Sequence, residues 1–157
     1  MQKLLVLAVA ARLPAWAETA CAQYAARMPR GFELERAAVR PEPRTQGKPM
    51  PKLLAAEAAR VSERLPRGAV VVAMDERGID VDTRGFAARM RAWLDAPEPV
   101  AFVIGGPDGM DEALKRRAAA RIRLSSLTLP HALAQVLLCE QLYRAATLLS
   151  GHPYHRD

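Results

Sequence analysis

The chain has 157 residues, half of them apolar and a quarter charged, which is the size and composition of one globular domain. Disordered, collagen-like and disulfide-scaffold classes are excluded on that composition. Its 23 basic residues outnumber its 17 acidic ones, for a formal charge of +6 and a pI near 9.9, and 19 of the 23 are arginine. A polyanionic partner is favoured, nucleic acid or an anionic membrane, but charge alone does not choose between them.

In chain order, Lys3 precedes an apolar run from Leu4 to Ala11. With small residues at Ala8 and Ala10 it has the outline of a minimal signal peptide, yet it is far shorter than the ~20 residues of a membrane span. It reads better as a buried parallel strand, and a soluble, cytoplasmic protein is expected. Pro14 then suits the first turn of a helix running to about Met28. Phe32 to Val39 is a second strand, less apolar and nearer a sheet edge. Arg40 to Met50 is a loop rich in Pro and Gly, and Pro51 opens a helix to about Leu65, with Leu54, Ala58, Val61 and Leu65 at helical spacing.

Ala69 to Met74 (AVVVAM) is the strongest central-strand candidate, with Asp75 to Asp82 as a polar loop after it. Thr83 is placed to cap a helix that faces Phe86, Met90, Trp93 and Leu94 inward. Val100 to Ile104 is a short buried strand that runs straight into Gly105-Gly106-Pro107-Asp108-Gly109. A helix from Asp111 to about Arg121, a last strand from Ile122 to Leu127 and a long helix from Pro130 to about Ser150 complete the pattern. Strands alternating with helices predict an α/β fold around a mainly parallel sheet, in a single domain over 1–157. Cys21 and Cys139 belong to no CxxC or Cys/His cluster, so buried reduced thiols are expected and a metal site is not.

In an open parallel sheet, ligands bind beyond the carboxyl ends of the strands. Three loops are predicted there: Met74 to Gly78, Gly105 to Gly109, and Leu124 to Leu129. The paired glycines let a ligand approach the backbone closely, but GGPDG matches neither GxGxxG nor GxxxxGK[ST]. The C-terminal segment carries more chemistry. All three histidines fall in its last 27 residues, Glu140 and Arg144 stand four apart on one helix, and the chain ends His-Pro-Tyr-His-Arg-Asp. Such a tail can stack on a base through Tyr154 and hold phosphate through Arg156. Lys115, Arg116, Arg117, Arg121 and Arg123 form a second basic run with no acid between them, and ten basic residues lie between Arg27 and Arg67. Phosphate contact there predicts binding that falls steeply with salt.

Taken together, FVIGGPDG at 102–109, LSSLTLPHALAQVLLCEQLYRA at 124–145 and HPYHR at 152–156 closely resemble the ribosomal large-subunit pseudouridine N3-methyltransferases of the SPOUT superfamily. The AVVVAMDERG segment and the length fit as well. This resemblance implies an α/β fold whose C-terminal part threads a trefoil knot, a homodimer, and S-adenosylmethionine bound in the knotted loops. It implies cofactor positions at Met74, Gly105 with Gly106 beside it, Leu124, Ser125, Ser126, Leu127, Thr128 and Leu129, the same loops selected by the sheet-end rule. It implies 23S rRNA of the assembled ribosome as substrate. For the transfer itself, His131, Glu140, Arg144, Tyr154 and His155 are the candidate catalytic residues, with His155 favoured as proton acceptor. Arg116, Arg117, Arg121 and Arg156 are candidate RNA contacts. A SPOUT enzyme acting on another RNA such as tRNA, and a non-catalytic ribosome-binding protein of the same fold, remain alternatives. Ala134-Gln135 replaces the Val/Arg-like pair expected in relatives, which weakens basic RNA contact at that turn.

Overall fold

A computed structural model describes residues 1–45 and 47–154. Five strands, β1 (Gln2–Val9), β2 (Phe32–Val39), β3 (Val70–Asp80), β4 (Val100–Ile104) and β5 (Ala120–Arg123), form one sheet in the order β2-β1-β4-β3-β5. Every pairing is parallel. Parallel neighbours require crossovers, and each is a helix: α1 (Ala15–Ala26), α2 (Met50–Arg64), α3 (Thr83–Trp93) and α4 (Glu112–Arg117), with α5 (His131–Ser150) closing the chain.

Alternation along β1 sorts the layers. Leu4, Val6 and Ala8 face one core with Phe86 and Met90 of α3 and Leu138 and Leu142 of α5. Leu5, Leu7 and Val9 face the other with Val61 of α2 and Leu114 of α4. Leftward crossovers thus use one face and rightward ones the other, as a single handedness requires.

β2 is an edge strand, as its polarity implied. The centre of the sheet is β4, while the AVVVAM strand lies one place off it. All five residues of β4 are buried, which is why they read as a continuous apolar run. Phe102 is fully buried and meets Phe86 and Trp93 edge-on, with ring centroids 5.9 and 6.0 Å away. Phe102→Ala should therefore cost about 3–5 kcal/mol. For a chain of this size that lowers the melting temperature by roughly 10 °C or more, measurable by calorimetry.

Several boundaries differ from the sequence expectation. Asp75 to Asp80 is no simple loop, because β3 pairs with β5 twice. Met74 and Ile79 both stand opposite Ile122, so residues 75–78 loop out between the two pairings. Gly78 is where the strand returns: a Cβ there would lie 2.7 Å from the Arg121 backbone. α3 is capped by Asp82, whose Oδ1 accepts the Gly85 N–H at 2.7 Å, and not by Thr83, whose hydroxyl donates to Gln141. α4 ends at Arg117, because the Ala119 N–H is captured by the Val71 carbonyl at 2.7 Å and the chain becomes β5. Sheet pairing overrides the helical preference of Ala118 to Ala120, and Arg121 consequently sits on a strand.

Cys21 and Cys139 are reduced and buried where α1 packs on α5. The Cys139 S–H donates to Cys21 and Arg36 lies nearby, holding the Cys21 thiol down at about 7; the same bond and burial push Cys139 up. No helix among the described residues is long and apolar enough to cross a membrane.

Candidate active site

A cleft of about 720 Å³ opens at the carboxyl ends of β4, β3 and β5, a volume suited to a cofactor-sized ligand. Its wall contains residues 74–77 of the first predicted loop and the whole of the other two, including every expected cofactor position from Met74 through Gly105 and Gly106 to Leu124–Leu129. Leu54 of α2 and His131 and Ala134 at the start of α5 close it. Apolar surface comes from Leu54, Met74, Ile104, Leu124 and Leu129. The 124–129 segment belongs to no sheet ladder and lines the cleft. Among the described residues, its one internal hydrogen bond runs from the Leu127 N–H to Ser125 Oγ at 2.9 Å, leaving the Leu127 side chain 76% exposed at the rim.

Three polar arrangements fix the walls. His131 Nε2 lies 3.1 Å from the Gly105 carbonyl. A carbonyl only accepts, so Nε2 carries the proton, and Nδ1 accepts from the Gln135 amide at 3.1 Å. Both ring nitrogens are committed, so His131 ties α5 to the glycine loop and has no free lone pair for proton transfer. Gln135, 6% exposed, points inward to hold it. Lys115 reaches Asp75 Oδ2 and Glu112 Oε1, each at 3.4 Å. Asp75 is therefore part of the wall, its side chain 8% exposed, whereas Glu76 is solvated as a loop residue would be. Arg123 pairs with Asp80 at 2.8 Å. His131 was a candidate from sequence, but the Lys115–Asp75 and Arg123–Asp80 pairs were not, since contacts between residues some forty positions apart leave no local spacing to read.

Glu140, Arg144 and Tyr154 do not line the cleft; they form a second cluster farther along α5. Arg144 Nε donates to Glu140 Oε1 at 2.8 Å, and the Tyr154 hydroxyl donates to the same oxygen at 3.3 Å. Two guanidiniums lie over the Tyr154 ring, Arg144 at 4.9 Å and Arg27 at 5.5 Å from its centroid, and the ring packs edge-on against Tyr143 with centroids 4.5 Å apart. The hydrogen bond to Glu140 raises the Arg144 pKa, so its charge is permanent. Burial and then the Glu140 carboxylate push the Tyr154 phenol up, so it remains a donor. Thirteen residues at 1.5 Å each put Arg144 about 20 Å along the helix from His131. His155 and Arg156 lie outside the described residues.

The second basic run divides. Lys115 and Arg123 are neutralised in the ion pairs above, while Arg116, Arg117 and Arg121 are exposed, with no ion pair among the described residues. Arg117 only grazes Ser62 Oγ at 3.5 Å.

The family model described as "Predicted SPOUT methyltransferase" matches residues 2–155 of the chain that forms this cleft. The chain belongs to the SPOUT methyltransferase family. It is 56% identical to the ribosomal RNA large subunit methyltransferase H of Verminephrobacter eiseniae, over 99% of both chains. It is 50% identical to the protein of that name from Bordetella petrii, over 98% of this chain and 99% of that one. Among solved structures, a probable methyltransferase from Bordetella pertussis Tohama I superposes with a TM-score of 0.58 at 18% identity, covering 92% of this chain and 94% of that one. That likeness is one of fold. The paired glycines and the LSSLTL segment are two walls of one cleft.

Proposed function

We propose that this SPOUT protein transfers a methyl group from S-adenosylmethionine to N3 of a pseudouridine in a hairpin of 23S rRNA, working in the cytoplasm on the assembled ribosome. The whole chain is read as one catalytic domain, 1–157, with the knotted C-terminal threading its family implies. Large-subunit rRNA is taken from the names of relatives at about half identity. The pseudouridine target rests on the three-motif resemblance.

The residues present fit the cofactor. A Cβ at Gly105 would lie 2.5 Å from the Gly109 carbonyl oxygen, so only glycine lets the loop fold this tightly where it lines the cleft. Met74, Gly105, Gly106 and Leu124–Leu129 would hold the cofactor, apolar side chains against its flat ring and backbone groups against its polar edge. When bound, it supplies an activated methyl on a sulfonium. What remains for the protein is alignment and charge. The imide proton on N3 must leave, and His155 is the assigned acceptor because His131 has both nitrogens occupied. Arg144, permanently charged, faces the developing anion. Tyr154 stacks on or orients the base, Glu140 fixes both side chains, and Arg116, Arg117, Arg121 and Arg156 take phosphates.

The observation that carries this reading is that every expected cofactor position lines one cleft, and the separation of the two clusters along α5 adds a homodimer to it. Cofactor cleft and Arg144–Tyr154 cluster cannot meet within one chain without breaking the helix. A homodimer that sets one protomer's tail at its partner's cleft brings them together. The test is transfer of a labelled methyl to assembled ribosomes, to isolated subunits and to tRNA, followed by mass spectrometry of the nucleosides. One methyl per assembled ribosome, on N3 of pseudouridine, is expected. Label in tRNA, or in no RNA at all, would replace this reading with one of its alternatives.

A further inference from the structure

The connection between β2 and α2 holds a polar constellation that neither cluster uses. Glu57, on the inward side of α2, is only 3% exposed. Its Oε2 accepts the Glu42 N–H at 2.9 Å and Arg44 Nη1 at 2.7 Å. Arg44 presents its other edge to the glycine loop, where Nε and Nη2 donate to Asp108 Oδ2 at 3.1 and 2.9 Å. One guanidinium therefore joins a buried carboxylate beneath the loop to a carboxylate at the loop's tip. The strap that carries it is itself pinned: Lys48 and Arg60 both grip Glu42, and Arg60 Nη1 donates to the Arg40 carbonyl at 3.1 Å.

A separate observation directs this constellation at the cleft. Glu57 Oε1 is buried and has no hydrogen-bond partner among the described residues. Gly106 lies against it: a Cβ there would stand 3.3 and 3.4 Å from the two carboxylate oxygens and 3.2 Å from Val9 Cγ1. A void of about 10 Å³ beside Glu57, Gly105 and Gly109 is at the limit of a single water. A carboxylate oxygen left unpaired in the interior is unfavourable. Here the same carboxylate anchors Arg44 while the glycine loop packs on it.

We infer that Arg44 is a positioning residue for the cofactor: anchored on Glu57, it holds the 105–109 loop through Asp108 in the shape that receives S-adenosylmethionine. The inference rests on the reading of the cleft given above. A segment with three glycines in five residues has wide conformational freedom, and this one is tied at two points. His131 fixes its start at the Gly105 carbonyl, and Arg44 fixes its tip. Freed at the tip, the loop is receptive for only part of the time, and the apparent dissociation constant rises by the inverse of that fraction. Lysine is a poor substitute, because its compact ammonium lacks the planar fork that here sets Nη1 on Glu57 and both Nε and Nη2 on Asp108.

The experiment is calorimetric titration of S-adenosylmethionine into wild type, Arg44→Ala, Arg44→Lys, Asp108→Asn and the Arg44→Ala/Asp108→Asn double variant. Each single change is expected to weaken binding about tenfold, and the double variant to bind no worse than the weaker single. Singles within twofold of wild type, or effects that add in the double variant, would overturn the inference. Hydrogen exchange of the Gly109 and Met110 amides, followed without ligand, reads the positioning on its own. Exchange several-fold faster in Arg44→Ala supports the role, and unchanged exchange sinks it. Wild type that fails to bind the cofactor while Arg44→Ala still loosens the loop would refute the cleft assignment and leave the Arg44 tie standing.

Discussion

Gly105→Ala is expected to weaken S-adenosylmethionine binding at least a hundredfold, about 2.8 kcal/mol, while the protein still folds. An added methyl would stand 2.5 Å from the Gly109 oxygen, 2.8 Å from its carbonyl carbon and 3.2 Å from Met110 Cβ. The first two are backbone atoms, so no side-chain rotation relieves the contact. The loop must open, which breaks the Gly109 N–H bond to the Gly106 carbonyl at 3.1 Å and draws the Gly105 carbonyl away from His131. Both changes deform the cleft, whereas the β4 core one residue earlier is untouched. Gly31→Ala is the control. Gly31 has φ +95 and no atom within 4 Å of the added Cβ, and it lies before β2 at the opposite end of the sheet. It should lose about 1–2 kcal/mol of stability through backbone strain and keep its cofactor affinity. Titration calorimetry and thermal melts on the two variants separate a cleft effect from a folding effect. Equal affinity in Gly105→Ala and wild type would mean that the glycine loop is not the cofactor wall.

Much of this architecture was legible because burial on both faces leaves an unmistakable composition. VAFVI and VLAV contain no polar residue, and only a strand shielded by helices on both sides tolerates that. Polar and apolar stretches then alternate at the spacing of βα units, and the parallel sheet follows. The errors arise where one segment answers to two demands. Asp-Glu-Arg-Gly reads as loop because four residues do leave the ladder, but the chain returns to pair Ile79 and Asp80 with Ile122 and Arg123. Ala118 to Ala120 reads as helix because alanine favours it, but the open edge of β3 captures the Ala119 N–H. In both cases a partner distant in sequence decides, and local propensity carries no trace of it.

The cleft itself was more legible than its supports. Where strands end in a parallel sheet is fixed by topology, so the three loops could be named before any side chain was placed. The Glu140–Arg144 pair was also readable, four residues apart on one helix. Arg44 was invisible: its partners Glu57 and Asp108 lie 13 and 64 positions away, in a loop that reads as flexible from its prolines and glycine. Lys115 was misleading for the opposite reason. It sits in a run of positive charge that reads as an RNA-facing surface, yet it is 12% exposed and turned inward to Asp75. Runs of one charge describe a surface only when each member's neighbours in space are known.

Arg144→Ala should lower methyl transfer by roughly 10²–10³, the effect of removing a fixed charge from a developing anion, with cofactor affinity changed less than about threefold. The two readouts separate because Arg144 is absent from the cleft wall and about 20 Å along α5 from His131. Its partners make the loss specific. Without the guanidinium, Glu140 keeps the Tyr154 hydroxyl and the Gln141 amide, bonded at 3.3 and 2.6 Å, so the tail retains an anchor while the charge is gone. Arg144→Lys preserves charge but lacks the flat face that stacks on Tyr154 at 4.9 Å, and it should recover only part of the rate. A dimer with shared sites makes a stronger demand. Mixed with Gly105→Ala protomers, Arg144→Ala protomers should regain activity, because one heterodimer site combines an intact cleft with an intact tail from the other chain. Random mixing in equal amounts gives heterodimers in half the population, each with one working site of two, so recovery to about a quarter of wild type is expected. If each site were built from a single chain, every protomer in the mixture would carry a defect and no activity would return. Complementation, measured at a cofactor concentration that saturates wild type but not Gly105→Ala, therefore decides between a tail that serves its own cleft and a tail that serves its partner's, using two variants that are each strongly impaired alone.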